Sequence, residues 1–385
     1  MSHLLQTLSP AAALPFELVR GAGAQLFTAD GTAYWDFYGG HAVALLGQGH
    51  PGWVQAIGYQ ASTLSFVTTV APLSIREQAA ARLAAFAGLD RAFFVNSGAE
   101  ANEAALKVAR KATGRSTIVA MEHGFHGRTM ACLGVTQSGS YRSQHAPVHG
   151  EPRFVPFGDL DALVEALDED VAAVLVEPLQ GIAGVLEPPA GYLTAVRAAC
   201  DAVGALLIVD EVQTGVGRTG RPFRFQVEDC RPDLVTCGKS LGNGFPVAAL
   251  LLTEAMAATT KPGEHGSTFG GGPLACAAVL AVLDAIEQEE LLPRANAIAA
   301  WVRSLAPGGE RAIPGVVAVR GDGCLLGLVL DRPAKPVAAQ LRDQAHILTG
   351  TAHDPHCLRL CPPATLPDDA LTALEAALRT ALETP

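Results

Sequence analysis

Short runs of apolar residues alternate with segments of helical periodicity through the middle of the chain. The apolar runs predict seven strands, at residues 91–96, 117–122, 153–157, 171–176, 205–209, 234–237 and 247–252. Segments rich in Ala and Leu at residues 99–111, 161–167 and 192–203 predict helices between several of them. Nearly continuous apolar strands that alternate with helices are typical of a mainly parallel sheet covered on both faces. The predicted fold class is therefore α/β.

The pattern changes after Pro273. A long helical stretch over residues 274–292 precedes predicted strands at 316–320, 325–330 and 357–360, and a further helical segment follows at 371–382. At 385 residues the chain also exceeds the size of a single typical core. We expect a large domain of residues 46–273 and a smaller α+β domain made of residues 1–45 and 274–385.

Composition and charge narrow the functional classes. Hydrophobic residues make up 49% of the chain and charged residues 17%, which suits a protein that buries much of its surface, part of it in a subunit interface. The net charge of −11 argues against nucleic acid as a partner, because its phosphate backbone needs clustered Lys and Arg. No apolar run approaches the roughly 20 residues that span a bilayer, and the N-terminus lacks the pattern of a signal peptide. We expect a cytoplasmic protein with no membrane partner.

Cysteine and histidine positions give little indication of a metal. Eight cysteines are scattered without the spacing of a disulfide framework, and several lie in apolar runs, as reduced buried cysteines do. The segment from His353 to Cys357 contains metal-binding residue types, but no complementary ligand set occurs elsewhere. We interpret it as a surface turn around Pro355 and predict no metal site.

Two charged residues directly follow apolar strands. Asp210 closes the run 205–209, and Lys239 follows the run 234–237 in a glycine-rich loop. A carboxylate at the end of a buried strand is costly unless a cation meets it, and lysines normally stay in water. Ligands of parallel sheets bind beyond the carboxyl ends of the strands. Both residues are explained if Lys239 holds the aldehyde of pyridoxal phosphate (PLP) and Asp210 meets its protonated ring nitrogen.

Two loops have residue types that bind phosphate. Ser97 and Glu100 have the spacing of a helix capping box after a strand, and the N-terminus of that helix would offer N–H groups to a phosphate. An ordinary capped helix is the alternative. The loop 265–273, with Ser267 and Thr268, either donates hydroxyl and N–H groups to a phosphate or serves as a hinge.

Further candidates follow other strands. In the segment 123–129, Phe125 could stack on a cofactor ring and Arg128 could bind a carboxylate through its guanidinium group. The two histidines of this segment are either turn residues or part of the site, and both interpretations stay open. Arg359 is a lone arginine in the apolar strand 357–360, where a substrate carboxylate would supply the anion that it needs.

One glycine-rich segment has the residue types of a nucleotide-binding motif but not the required position between a strand and a helix. Residues 215–220 read G-x-G-x-x-G, but that fingerprint needs its first glycine immediately after the strand and a helix at its third. Here residues 210–214 intervene and Pro222 follows. We interpret the segment as a loop, and a nicotinamide-dependent oxidoreductase that uses it remains an alternative.

Seven ordered motifs make the chain similar to the class III (subgroup II) PLP-dependent aminotransferases. They are SGAEANEAALK, HGFHGRT, VEPLQG, DEVQTGVGRTG, GKSLGNGFP, HGSTFGG and LRLCPP, and the resemblance covers nearly the whole chain. It implies a PLP-dependent transferase of fold type I that is a homodimer with shared active sites. It also implies transfer of the ω-amino group of N-acetylornithine to 2-oxoglutarate, which gives N-acetylglutamate semialdehyde and glutamate in arginine biosynthesis.

The resemblance assigns roles to the residues that match these motifs. Lys239 would bind the cofactor aldehyde and later move a proton, for which burial and nearby cations must lower its pKa. Asp210 would contact the ring nitrogen, Gln213 the ring hydroxyl and Phe125 the ring face. Ser97, Gly98 and Ala99 of the same subunit would bind the phosphate, together with Thr268 from the partner subunit. The substrate contacts would be Arg128 and Ser267 to the acylated donor and Arg359 to the α-carboxylate of glutamate or 2-oxoglutarate.

The chain departs from the family at a position that bears on the substrate. The family's VEP-x-QG motif commonly continues with a glutamate that pairs with the arginine while the ω-amine donor is bound, and here that residue is Ile182. Asn243 also replaces a usual glycine, and Gly272 a usual asparagine. Another ω-amine donor therefore stays open: succinylornithine, an intermediate of an acyl-lysine or aminoadipate pathway, or 4-aminobutyrate. A non-catalytic binding protein is a further alternative, against which the intact Lys239, Asp210 and Thr268 argue.

Overall fold

The computed structural model describes residues 13–137 and 152–383. Its strands are β1 (Leu18–Ala22), β2 (Gln25–Thr28), β3 (Ala33–Asp36), β4 (Arg91–Val95), β5 (Thr117–Met121), β6 (Arg153–Val155), β7 (Val171–Val176), β8 (Leu206–Asp210), β9 (Leu234–Cys237), β10 (Ala248–Leu252), β11 (Val316–Asp322), β12 (Leu325–Leu330), β13 (Ile347–Leu348), β14 (Gly350–Thr351) and β15 (Cys357–Leu360).

The right-handed helices cover the sheets and form their connections. They are α1 (Pro51–Thr63), α2 (Ser74–Ala87), α3 (Gly98–Thr113), α4 (Met130–Gly134), α5 (Leu160–Glu165), α6 (Gly181–Gly184), α7 (Tyr192–Val203), α8 (Glu254–Ala258), α9 (Pro273–Gln288), α10 (Leu291–Arg303), α11 (Ala334–Ala345) and α12 (Asp368–Glu383). In these described ranges no helix combines the length and apolarity that crossing a membrane would require.

Seven strands form one central sheet in the order β4-β10-β9-β8-β7-β5-β6. The pairs β9–β8, β8–β7, β7–β5 and β5–β6 are parallel, whereas β10 runs antiparallel to both of its neighbours. Every residue of β7 is buried, because helices cover both faces of the sheet. The predicted α/β class, the mainly parallel sheet and the positions of all seven strands are confirmed.

Two smaller sheets complete the fold. One has the order β1-β2-β3-β13 and the other the order β11-β12-β15-β14. The three N-terminal strands were not predicted, and β3 pairs in parallel with β13, so segments from both ends of the chain share a sheet. The division into residues 46–273 against 1–45 and 274–385 stays a prediction.

One predicted helix is two helices. The stretch over residues 274–292 divides into α9, which ends at Gln288, and α10, which begins at Leu291. Glu290 has a φ of 52°, a left-handed conformation that reverses the path of the chain. Four consecutive polar residues, 287–290, interrupt the apolar pattern at this point, and that signal was in the sequence.

Two segments of uncertain function are turns. Residues 215–220 form a series of turns with no helix opening at Gly220, so the predicted loop is confirmed. Pro355 and His356 form the predicted turn, and the neighbouring Asp354 carboxylate accepts a hydrogen bond from Arg320 Nη1 at 2.9 Å. All eight cysteines are buried and unpaired.

Asn243 ties the loop after β9 to the N-terminal segment. Its Oδ1 accepts a hydrogen bond from Leu46 N at 2.9 Å, and its Nδ2 donates one to Gly47 O at 3.1 Å. Its φ of 47° is left-handed, a conformation that glycine adopts without strain. The side chain therefore holds two buried backbone groups at the expense of backbone strain.

Substitutions at Asn243 separate these two effects. Asn243→Ala loses both hydrogen bonds and keeps the strain, so we expect it to lower the free energy of unfolding by about 2–3 kcal/mol. Asn243→Gly loses the same bonds but relaxes the backbone, and should cost about 1 kcal/mol less. Thermal unfolding followed by circular dichroism measures both. Equal melting temperatures for the two variants would contradict the strained conformation.

Candidate active site

The residues that follow β8 and β9 meet at one edge of the central sheet. The two strands are parallel neighbours, so their carboxyl ends lie side by side. Asp210 is the last residue of β8, and Lys239 follows β9 with a left-handed φ of 47°. They line a cavity of about 250 Å³ together with Gly98, Ala99, Asn102, Phe125, His126, Gly127, Glu177, Ile182, Val212 and Gln213. Strained backbone at such a cavity is typical of a functional site.

Asp210 is a fixed negative charge in the cavity wall. Its Oδ2 accepts hydrogen bonds from Asn102 Nδ2 at 2.8 Å and from His126 Nδ1 at 2.7 Å, and its Oδ1 accepts one from Val212 N at 3.0 Å. Burial opposes the charged form, but the hydrogen bond and charge of His126 outweigh it and hold the pKa of Asp210 below its usual value. The carboxylate is therefore ionised and can balance a cation in the cavity.

His126 is the partner that makes this possible. Its side chain is completely buried, and burial acts to lower its pKa. The hydrogen bond and charge of Asp210 outweigh burial, so the pKa of His126 is raised above its usual value. Of the two interpretations left open for this histidine, the structure favours a site residue over a turn residue.

Glu177 is a second buried carboxyl group in the cavity. It follows β7 directly, as Asp210 closes β8, and its Oε1 accepts a hydrogen bond from Phe125 N at 3.0 Å. Burial raises its pKa to about 7, because removal from water penalises the charged form. Sequence reasoning noted Glu177 only as part of a motif. Its position after a buried strand was the signal that could have singled it out.

The surroundings of Lys239 favour its neutral amine. Burial is the largest cause and lowers the pKa of Lys239, and the positive charge of Arg359 acts in the same direction. The negative charges of Asp210 and Glu177 oppose this shift without cancelling it. The predicted lowering of the lysine pKa is confirmed. A neutral Nζ is what nucleophilic attack or proton acceptance requires.

The N-terminus of α3 forms another wall of the cavity. Ser97 caps the helix, with its Oγ accepting a hydrogen bond from Glu100 N at 3.3 Å. Glu100 Oε2 reaches back to Asn96 N at 2.7 Å, one residue earlier than the capping box predicts. A Cβ on Gly98 would lie 2.6 Å from Val212 Cγ1, so this position has no room for a side chain. The first-turn N–H groups and the helix dipole favour an anion here.

The predicted site residues fall into two groups. Gly98, Ala99, Phe125, Asp210, Gln213 and Lys239 line the cavity, whereas Ser97, Arg128, Ser267, Thr268 and Arg359 are outside its lining. Ser267 lies nearby, because its Oγ accepts hydrogen bonds from Asn96 Nδ2 at 3.1 Å and Gly270 N at 3.0 Å. Thr268 and Arg128 are exposed.

Comparison with known proteins places the chain in a family. The family described as Aminotransferase class-III matches residues 8–382. The chain is a class III aminotransferase. Acetylornithine aminotransferase of Streptomyces coelicolor is 46% identical over 365 residues, which cover 94% of this chain and 89% of that protein. This family implies PLP as the cofactor of a transaminase.

Solved structures share the fold of this class III aminotransferase over its full length. Acetylornithine aminotransferase from Elizabethkingia anophelis superposes with a TM-score of 0.85 at 30% identity, covering 99% of this chain and 96% of that chain. An amine transaminase from an uncultivated Pseudomonas species, solved in its PLP-bound form, has a TM-score of 0.88 at 27% identity and covers 100% of this chain and 98% of its own.

The residues of the cavity fit PLP. An ionised Asp210 suits a protonated ring nitrogen, and the first turn of α3 suits a phosphate. Within the described residues, the buried Oε1 of Gln213 has no hydrogen-bond partner and is available to a hydroxyl donor. Lys239 supplies an amine whose pKa is lowered. The donor set matches the charged and polar groups of this cofactor.

The His126–Asp210 pair gives a titration that can be measured. In Asp210→Asn the anion is gone while burial remains, so the pKa of His126 should fall below its ordinary value of about 6.5. NMR of protein labelled with ¹⁵N-histidine would follow both proteins from pH 5 to 9. A His126 that titrates alike in both proteins would contradict the pairing.

Proposed function

We propose that this class III aminotransferase transfers the ω-amino group of N-acetylornithine to 2-oxoglutarate, giving N-acetylglutamate semialdehyde and glutamate. The identity of 46% with an acetylornithine aminotransferase over nearly the full length of both chains carries the proposal. The cavity supports it, because it joins a lysine of lowered pKa, an ionised aspartate and a helix N-terminus. This is a step of arginine biosynthesis, and we propose that it takes place in the cytoplasm.

The lining of the cavity supports the assignment of cofactor contacts. When bound, PLP supplies an electron-withdrawing ring that stabilises negative charge at the substrate carbon. Asp210 would hold the ring nitrogen in its protonated form, and Lys239 would bind the aldehyde carbon. The remaining contacts would be Gln213 to the ring hydroxyl, Phe125 to the ring face, and Ser97, Gly98 and Ala99 to the phosphate.

Lys239 would also act as the base. Burial lowers the pKa of its Nζ, which favours the unprotonated amine that a base requires. Nζ can then accept the proton from the substrate carbon and deliver it again from the same position. The overall reaction consists of two half-reactions on one enzyme, which predicts ping-pong kinetics.

Three residues outside the cavity lining would bind the substrates. Arg128 and Ser267 would hold the acylated donor, and Arg359 the α-carboxylate of glutamate or 2-oxoglutarate. Arg359 is 3% exposed, and a guanidinium group so deeply buried needs an anion. Its hydrogen bond to Gly181 O is 3.4 Å long, which leaves room for a stronger acceptor.

We propose that the active unit is a homodimer in which Thr268 binds the phosphate of the partner subunit's cofactor. The surface beside Thr268 supports this. Phe269 is 64% exposed and Phe66 43%, with their ring centroids 5.4 Å apart, and Val70 is 85% exposed. Clustered large apolar side chains in contact with water are typical of an interaction surface.

The cofactor assignment is tested by covalent trapping. Borohydride reduction of the holoenzyme, followed by proteolysis and peptide mass mapping, should leave a pyridoxyl adduct on Lys239. Lys239→Ala should fold, retain a cooperative melting transition and yield no adduct. An adduct on a different lysine, or none in cofactor-saturated protein, would refute the assignment.

The donor assignment is tested by single half-reactions. Absorbance of the holoenzyme should change with N-acetylornithine, and faster than with succinylornithine, acyl-lysines, ornithine or 4-aminobutyrate. A response to 4-aminobutyrate alone would replace the proposed donor while leaving the cofactor assignment intact.

The shared active site is tested by mixing defective subunits. Thr268→Ala should weaken PLP binding about tenfold through loss of a hydrogen bond to a charged group. In a mixed dimer with Lys239→Ala, one of the two sites would then hold both intact residues. Activity at limiting PLP should exceed that of either parent dimer. If Thr268 served its own subunit, the mixed dimer would gain nothing.

A further inference from the structure

Arg359 lacks the acidic partner that the related aminotransferases use. The resemblance described above implies a glutamate that pairs with this arginine, and here that residue is Ile182, which lines the cavity. Within residues 13–137 and 152–383, no acidic side chain forms an ion pair with Arg359, and its Nε has no hydrogen-bond partner. A buried guanidinium group without a partner is costly, so another group has to position it.

His41 is the side chain that contacts this guanidinium group. Its Nδ1 lies 3.4 Å from Arg359 Nη2. An arginine can only donate hydrogen bonds, so Nδ1 has to be the acceptor and the ring proton has to be on Nε2. The imidazole also packs against Tyr38, with ring centroids 4.7 Å apart. The tautomer of His41 is therefore fixed by the chemistry of its neighbour.

The backbone around His41 is unusual in a way that points to function. Gly39, Gly40, His41 and Ala42 have φ values of 56°, 58°, 63° and 66°, a complete left-handed turn. A Cβ on Gly39 would collide with the carbonyl oxygen of Cys361, two residues after Arg359. Histidine and alanine in this conformation are strained, and such strain persists where a site needs a side chain in one place. The turn brings His41 to Arg359.

We propose that His41 is a positioning residue for Arg359, and that the neutral imidazole of His41 takes the place of the missing glutamate and leaves the guanidinium group open to the α-carboxylate of glutamate or 2-oxoglutarate. The inference rests on the proposed role of Arg359 in binding glutamate and 2-oxoglutarate. A glutamate competes with the substrate carboxylate for the arginine, whereas a neutral acceptor at 3.4 Å holds the group and yields to an anion. Donor selection must then depend on other residues.

Burial and the nearby positive charges keep His41 neutral. Its pKa is lowered to about 4, first by burial and then by the positive charges of Arg359, Lys239 and Arg128. The neighbouring Tyr38 also stays uncharged, because burial raises its pKa to about 12. His41 is consequently an acceptor between pH 6 and 8, and its effect on Arg359 should not vary in that range.

Two substitutions separate positioning from packing. His41→Ala removes the acceptor, whereas His41→Asn places a carbonyl oxygen near the position of Nδ1 and tolerates the left-handed backbone. His346 is the matched control, since it is an exposed histidine with a φ of 54° that lies outside the site. His346→Ala should leave both half-reactions unchanged.

We expect His41→Ala to weaken 2-oxoglutarate binding, measured by calorimetry on the holoenzyme, roughly tenfold, as for loss of a hydrogen bond to a charged group. The glutamate concentration that half-saturates the glutamate half-reaction should rise by a similar factor. The rate of the N-acetylornithine half-reaction should change less than about twofold. His41→Asn should restore 2-oxoglutarate binding. Equal losses in both half-reactions, no loss in either, or failure of the asparagine variant to restore binding would overturn the proposal.

The imidazole itself gives a readout that does not depend on catalysis. In ¹⁵N-histidine-labelled protein, the His41 signal, identified by its absence from His41→Asn, should show a neutral ring with the proton on Nε2 from pH 6 to 8. Addition of 2-oxoglutarate should shift it. A protonated ring at pH 7, or a proton on Nδ1, would refute the contact. If the donor proves to be a different ω-amine, these two measurements are unaffected.

Discussion

A buried histidine–aspartate contact at the carboxyl edge of the sheet is the interaction on which this active site depends. His126 Nδ1 lies 2.7 Å from Asp210 Oδ2, and this contact lowers the pKa of Asp210 and raises the pKa of His126 against the effect of burial on each. Asn102 fixes the same carboxylate through its amide and also accepts a hydrogen bond from Thr236 on the next strand. Removing one of these side chains leaves its partners buried without a hydrogen bond. The resulting destabilisation exceeds the net stabilisation that the intact pair provides.

Two buried carboxyl groups at this edge of the sheet have pKa values shifted in opposite directions. Asp210 has a cationic partner, and its pKa is lowered, whereas Glu177 lies one strand away with a pKa raised to about 7. The difference comes from contacts and not from depth, because both are buried. Lys239 therefore faces one permanent negative charge and one group that can be neutral. The pKa of Lys239 is lowered because burial outweighs the effect of both carboxyl groups.

The parts of this molecule that were predictable are those in which local pattern and global fold agree. Apolar runs identified the seven central strands. Asp210 and Lys239 could be singled out because they come at the carboxyl ends of two of these strands, and parallel strands place such residues at one edge of the sheet. The N-terminal strands escaped because they are short, partly exposed and completed by β13 from the far end of the chain. His126 and Asn102 lie 84 and 108 residues from Asp210, and no local signal links them. His41 depends on a left-handed turn that its sequence does not require.

The burial of all eight cysteines has a practical consequence. Burial raises the pKa of every one of these thiols, so both access and thiolate formation are suppressed in the folded chain. They are distributed from α4 to the residue after β15, with Cys237 in the central sheet and Cys357 in the sheet that contains β11, β12, β14 and β15. A thiol-reactive reagent will therefore label a cysteine only when the region around it opens. The cysteine that is labelled first identifies the region that opens first.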